Sequence, residues 1–220
     1  MKFPNAYKGV KKIHLAQILM IICAVLAIAS LFVLAWNNVD LQNVTEENVA
    51  NSNLTAASAG TAATLALVSG LLIIVAFILE LVGIINGMKD DENFKTALAA
   101  IGIGVLLNVL KTVLKTDFMT EWADTASMVL SFLATWYILT AIANLADKLG
   151  NSAVKALAVK TRNILAATYL ISVIGDAVCN LIGGNGTAVT IIGVVAVLAE
   201  IVSYVFFLRA LSQGKKMLAE

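Results

Sequence analysis

Acidic side chains inside long apolar stretches are the residues of this sequence that could do chemistry. Asp176 and Glu200 lie in two apolar segments on either side of the glycine-rich turn 183–186, and Glu80 lies in an earlier one. A charged side chain at the centre of a bilayer costs about 2.5–3.5 kcal/mol on insertion scales. Each acid therefore needs a partner within a helix bundle or a bound ligand.

The amino-acid composition predicts the environment of these acids. The chain has 220 residues, of which 60% are hydrophobic and 13% are charged. A soluble domain carries about 25% charged residues, so we expect this protein to lie in a lipid bilayer. The net charge of +1 provides no basic field for phosphate groups, which excludes nucleic acid as a partner.

Six apolar segments are long enough to cross the bilayer, which needs about 20 residues per helix. The first is over twenty residues long and so too long for a cleaved signal peptide, whose apolar core has about 7–15 residues. We predict an all-α membrane protein with a single bundle of six transmembrane helices in 13–211. A basic leader, 1–12, precedes the bundle and a tail, 212–220, follows it. The predicted spans are about 13–36, 61–86, 94–115, 123–144, 160–182 and 187–211, with a hydrophilic loop at 37–60.

The basic residues predict the orientation. With both termini in the cytoplasm, thirteen of the fifteen Lys and Arg residues lie inside, and only Lys111 and Lys115 lie outside. Such an asymmetry is what the positive-inside rule requires. We therefore expect a multi-pass protein of the plasma (cytoplasmic) membrane. The preference for Lys over Arg and the Asn-rich outer loop favour a bacterial origin.

The six spans also form three hairpins with similar ends. A basic residue closes 86–89, 145–148 and 213–216 in the same way. This similarity is compatible with three repeated helical hairpins, and equally with the ordinary composition of cytoplasmic helix ends.

The intramembrane polar residues fall on stripes of small or polar residues spaced by three or four, which places each stripe on one helix face. Small residues let helices approach closely, so the stripes are either packing seams or a binding site. The candidate site residues are Glu200, Asp176, Glu80, Asn108, Lys111, Ser172, Asn180, Ser203 and Tyr204.

Charge and depth give more specific expectations for two of the acids. Asp176 and Lys111 both lie in the outer third of the membrane, so we predict that they form an ion pair. Glu200 has no basic residue at its depth and is expected to be neutral. It is then either a hydrogen-bonding strut or a site for a proton or cation. Trp36, Trp122 and Trp136 are expected to anchor helices at the interface or to pack between them.

Catalytic motifs are missing from the sequence. The single histidine, His14, cannot supply a zinc-protease helix or a Ser/His pair, and no glycine-rich phosphate loop is present. Cys23 and Cys179 lie in apolar segments, where cysteine behaves as a small hydrophobe. We expect no enzyme activity, cofactor or metal.

The arrangement of six spans with cytoplasmic termini and a long first outer loop resembles the substrate-binding membrane subunits of energy-coupling-factor vitamin transporters. That resemblance implies a small-solute binding or transport component. The Ala-x-x-x-Ala motif of those subunits is absent from the first span, so no ligand pocket is transferred. The alternative is a non-catalytic membrane subunit or scaffold, which binds a protein partner or a second copy through helix faces or the acidic outer loop.

Overall fold

The computed structural model describes residues 2–37, 39, 53, 55–181 and 187–220, apart from the side chains of 117–121, 180 and 188. This part of the chain is all-helical. Most of the outer loop 37–60 and the turn 183–186 lie outside the described residues. The six helices are α1 (Pro4–Trp36), α2 (Ala56–Gly87), α3 (Asn93–Leu114), α4 (Asp117–Lys148), α5 (Ser152–Leu181) and α6 (Thr187–Ala219).

All six helices are long and apolar enough to span a membrane, as the sequence predicted. Most extend beyond the predicted spans. The 33 residues of α1, for example, rise about 50 Å at 1.5 Å per residue, whereas the hydrocarbon core is about 30 Å thick. Because α1 begins at Pro4, Lys8, Lys11 and Lys12 of the predicted leader lie on the same helix as the first span.

The chain forms two compact units, which we describe separately. The larger unit comprises Met1–Lys11 and Val82–Glu220, and the smaller unit comprises Lys12–Leu81. The single six-helix bundle and the three repeated hairpins stay predictions.

The larger unit has its apolar core at one end, which we call the basic end. Here α4 ends and α5 begins, the α2–α3 turn lies beside the start of α1, and Gly214 of α6 lies close to Ile142 of α4. Fully buried side chains are concentrated at this end, in the last third of α4, the last turns of α6 and the first turn of α3. They include Phe94, Ile138, Leu139, Ile142, Leu145, Leu211 and Leu218. We call the remote parts of α3–α6 the outer halves, and there large aliphatic side chains are exposed, as expected for contact with lipid.

Two adjacent acids in the α2–α3 turn connect the segments at the basic end. Asp90 accepts hydrogen bonds from the Ala6 backbone N–H (2.6 Å) and from the side chain of Asn5 (3.3 Å). A carboxylate at a helix N-terminus is favoured by the helix dipole and by the unpaired N–H groups there. Asp91 is buried, accepts two hydrogen bonds from Asn93, and lies 3.5 Å from Lys148 Nζ at the end of α4.

The α4–α5 turn is specified locally. Gly150 adopts φ = +70°, and the N–H groups of Gly150 and Asn151 donate to the carbonyls of Asp147 and Ala146. This is a Schellman motif, for which glycine is the usual residue. Asn151 Oδ1 then accepts from Val154 N–H and caps the start of α5.

The smaller unit pairs the outer part of α1 with α2. Ser30 Oγ donates to the carbonyl of Ala62 (2.9 Å), and Ser69 Oγ donates to the carbonyl of Cys23 (3.0 Å). Such bonds between a small polar side chain and the opposite backbone are typical of helix seams in membranes.

Glycine allows α1 to contact α2 at the basic end, which yields a test of the fold. A Cβ at Gly9 would lie 2.5 Å from the carbonyl oxygen of Gly83 and 2.9 Å from Gly87 N. We expect Gly9→Ala to destabilise the protein by about 1–3 kcal/mol, because the backbone must move. Gly70→Ala is the matched control, since a Cβ there meets nothing within 4 Å and alanine favours a helix by up to about 1 kcal/mol. Thermal unfolding in mild detergent measures both changes, and equal melting temperatures for the two variants would contradict this packing.

Candidate functional site

The predicted site residues that the structure describes in the larger unit lie on two helix seams, α5–α6 and α3–α4. On the α5–α6 seam, the Ser172 hydroxyl donates to Glu200 Oε1 (3.4 Å), and one turn nearer the basic end Thr168 Oγ1 donates to the carbonyl of Ala199 (3.3 Å). Farther out, Gly175 lies against Ile192. The structure therefore brings Ser172 and Glu200 together, as two facing stripes of the sequence allow.

The other predicted residues of this seam vary in burial. Ser203 is buried and Tyr204 is half-buried, whereas Glu200 and Asp176 are exposed on the helix surface. No hydrogen bond or ion pair joins Asp176 to another residue that the structure describes. The side chain of Asn180 is outside the described residues. Two carboxyl groups thus face outwards on neighbouring helices, within the apolar halves of α5 and α6.

The α3–α4 seam corrects one prediction. Lys111 Nζ lies 2.6 and 2.8 Å from the two carboxylate oxygens of Asp124, so the predicted pairing of Lys111 with Asp176 is wrong. One turn nearer the basic end, the amide of Asn108 donates to Ser127 Oγ (3.2 Å). The polar residues of α3 are therefore satisfied by α4, its neighbour in sequence, and not by α5.

Asp124 and Ser127 were not among the predicted residues, although the sequence contained a signal for them. The two pairs, 111 with 124 and 108 with 127, are centred on the same point of the short α3–α4 turn. Residues equally far from the turn of an antiparallel helical hairpin lie at the same depth. This symmetry pairs position 111 with position 124, which is the partner found in the structure.

Glu80 is a separate case in the smaller unit. Its side chain is half-buried on α2, and no hydrogen bond or ion pair joins it to another described residue. Its role stays a prediction.

A further polar group, which was not among the predicted site residues, lies on the α4–α5 seam. The Arg162 guanidinium lies 4.7 Å from the ring centre of Trp136 and donates to Thr140 Oγ1 (3.3 Å). Its Nε–H is buried and has no hydrogen-bond acceptor among the described residues. The sequence signal was the seven-residue spacing of Lys155, Arg162 and Tyr169, which places all three on one face of α5.

No cluster of metal-binding side chains accompanies these residues in the described ranges. No group of three or more His, Cys, Asp or Glu side chains among them is arranged to hold a metal ion. Two open grooves, of about 660 and 670 Å³, contain none of the predicted site residues. The second groove lies between α3 and α4 beside Trp122, and its lining is mostly apolar.

No protein-family model matches the sequence, and no curated protein and no solved structure is significantly similar to it. The comparisons therefore give no support to the resemblance to vitamin-transporter subunits, which stays an expectation from the predicted spans. The geometry and chemistry of the seams are what support a function.

The α3–α4 pairing predicts a specific rescue. Lys111→Asp and Asp124→Lys should each lower the melting temperature in detergent, because each replaces an ion pair by two like charges on the same seam. The double variant with both substitutions should regain about 0.2–1 kcal/mol of the lost free energy of unfolding, the range for an ion pair with partly exposed side chains. The control exchanges Lys111 with Asp176 and should show no recovery. Recovery in the control, or none in the first double variant, would contradict the assignment.

Proposed function

We propose that this integral membrane protein is a non-catalytic membrane subunit, and that the outer halves of α5 and α6 bind a protein partner within the bilayer. The observation that carries this proposal is the exposure of Asp176 and Glu200 on neighbouring helices. Lipid cannot supply hydrogen bonds to these carboxyl groups, and each carboxylate left in hydrocarbon costs about 2.5–3.5 kcal/mol. A partner helix with donor or cationic groups at that depth removes this cost.

The contrast between the two ends of the larger unit supports the same proposal. At the basic end, the two turn acids are bound, Asp90 by a backbone N–H group and Asp91 by the opposite charge of Lys148, and large side chains are buried. In the outer halves of α5 and α6, large aliphatic side chains such as Ile174, Val194 and Leu198 are exposed around the two acids. An apolar face with a few polar groups at its centre is suited to another transmembrane helix.

A second candidate function is the binding of a small solute, proton or cation, as the sequence first indicated. It is favoured by the Ser172–Glu200 contact, with Asp176 one turn farther along α5. Hydroxyl and carboxyl oxygens are suitable ligands for a hard cation, and a carboxyl group can carry a proton. In this case the two acids would act together on one ligand.

Native mass spectra of the full chain in mild detergent distinguish the two functions. For the subunit, we expect a second polypeptide at fixed stoichiometry, a second copy of this chain included. Asp176→Leu should release it, because leucine removes the polar contact while favouring lipid. Ile174→Leu, two residues away on the same helix, is the matched control and should retain the partner.

The alternative predicts a different spectrum. A small ligand without a second polypeptide, lost in Glu200→Gln, would support the binding of a solute or cation and contradict the subunit. A protein that carries neither in any variant would contradict both functions.

We also propose that the basic end faces the cytoplasm, which places both termini inside. Thirteen Lys and Arg residues support this orientation, since they lie in segments predicted on one side of the membrane. A periplasm-active reporter should be active when fused after Gly60 and inactive when fused after Leu149. The reverse pattern would overturn the orientation.

A further inference from the structure

The α4–α5 seam is a ladder of side-chain contacts spaced seven residues apart on α5. Successive rungs lie on the same face of the helix, about 10 Å apart along its axis. From the basic end, the rungs are Lys155 with Asp147 (2.8 Å), Arg162 with Thr140 and Trp136, and Tyr169 stacked on Phe132 (4.7 Å).

Arg162, the middle of these three residues, has no acidic side chain beside it among the described residues. Lys155 is neutralised by Asp147, whereas Arg162 meets only a hydroxyl and an aromatic ring. Its buried Nε–H has no acceptor among the described residues, and no carboxylate of the described part of the chain lies within 4 Å. A partly buried guanidinium with unused donors is unfavourable unless an anion completes it.

The depth of Arg162 indicates where such an anion comes from. Polar and basic residues are frequent in α5 up to Asn163, and an apolar run begins at Ile164. Arg162 therefore lies where the polar headgroup region meets hydrocarbon. Tryptophan is enriched at that level of membrane proteins, and Trp136 lies against Arg162.

A groove on the adjoining face of α5 has matching chemistry. It is about 660 Å³ in volume and open, with Lys155, Lys160 and Asn163 among its polar lining residues. Val159, Ile164 and Ala167 supply apolar lining along the same helix. Basic groups above an apolar surface fit a phospholipid, whose headgroup lies above its acyl chain.

We propose that Arg162 binds the phosphate group of a phospholipid in the leaflet at the basic end. Trp136 and Thr140 hold the guanidinium in place, and N–H groups of its terminal nitrogens donate to phosphate oxygens. Lys160, which has no acid partner among the described residues, favours an anionic headgroup. This site is separate from the α5–α6 face and does not depend on the proposed partner.

The test is a titration of the detergent-solubilised full chain with phosphatidylglycerol, followed by native mass spectrometry. We expect one tightly bound lipid. Arg162→Gln should weaken its affinity by at least about tenfold, because charge-assisted hydrogen bonds to phosphate are lost. Arg209→Gln is the matched control: it removes the other arginine, which is exposed on α6 in the same unit, and should leave the affinity nearly unchanged.

Two further measurements test the proposal: the affinity of a second Arg162 variant and competition by inorganic phosphate. Arg162→Lys keeps the charge but loses the planar fork, so its affinity should fall between those of wild type and Arg162→Gln. This variant carries the test if Arg162→Gln does not fold. Inorganic phosphate at the same concentration should not displace the lipid. Equal loss in Arg209→Gln, unchanged binding by folded Arg162 variants, or displacement by inorganic phosphate would each overturn the lipid site.

Discussion

The larger unit depends on how the adjacent acids Asp90 and Asp91 are bound. Asp90 accepts the N–H of Ala6 in the first turn of α1, and Asp91 is placed between Asn93 and Lys148. One dipeptide thus fixes the start of α1, the α2–α3 turn and the end of α4. Because a buried carboxylate without a partner is costly, few other arrangements of these three segments are compatible with it.

Within the larger unit, side-chain packing becomes looser with distance from these two acids. Close to the two acids, large side chains interdigitate and glycines allow backbones to touch, as Gly9 does on α2. Farther out, adjacent helices are joined by isolated side-chain contacts such as Ser172 with Glu200 and Asn108 with Ser127. Regions with few buried contacts open at lower free-energy cost, and binding surfaces are commonly drawn from them. The outer halves are the part of this unit best able to rearrange around a partner.

The sequence predicted the fold class well because hydropathy reports directly on burial in lipid. Six apolar runs gave six helices, although the helices continue beyond the apolar runs, as α1 does towards Pro4. The pairing of charges was predicted less well. Depth alone could not decide between Asp124 and Asp176 as partner of Lys111, since both lie towards the outer end. The connection of Asp90 to Ala6 could not be found at all, because it joins residues 84 positions apart and a backbone group carries no sequence signal.

Two charges of α5 without an opposite charge beside them among the described residues, Arg162 and Asp176, are related by the seven-residue spacing of the helix. Arg162, Tyr169 and Asp176 succeed each other at intervals of seven, so Arg162 and Asp176 are about 21 Å apart along the axis. That distance is too long for the two opposite charges to neutralise each other, although they lie on the same helix. The two proposals therefore assign each charge its own partner: an anion at the headgroup level for Arg162, and a donor or cation deep in the bilayer for Asp176. Under these two proposals α5 binds two different chemical groups at two depths, and substitutions of Arg162 and of Asp176 separate their effects.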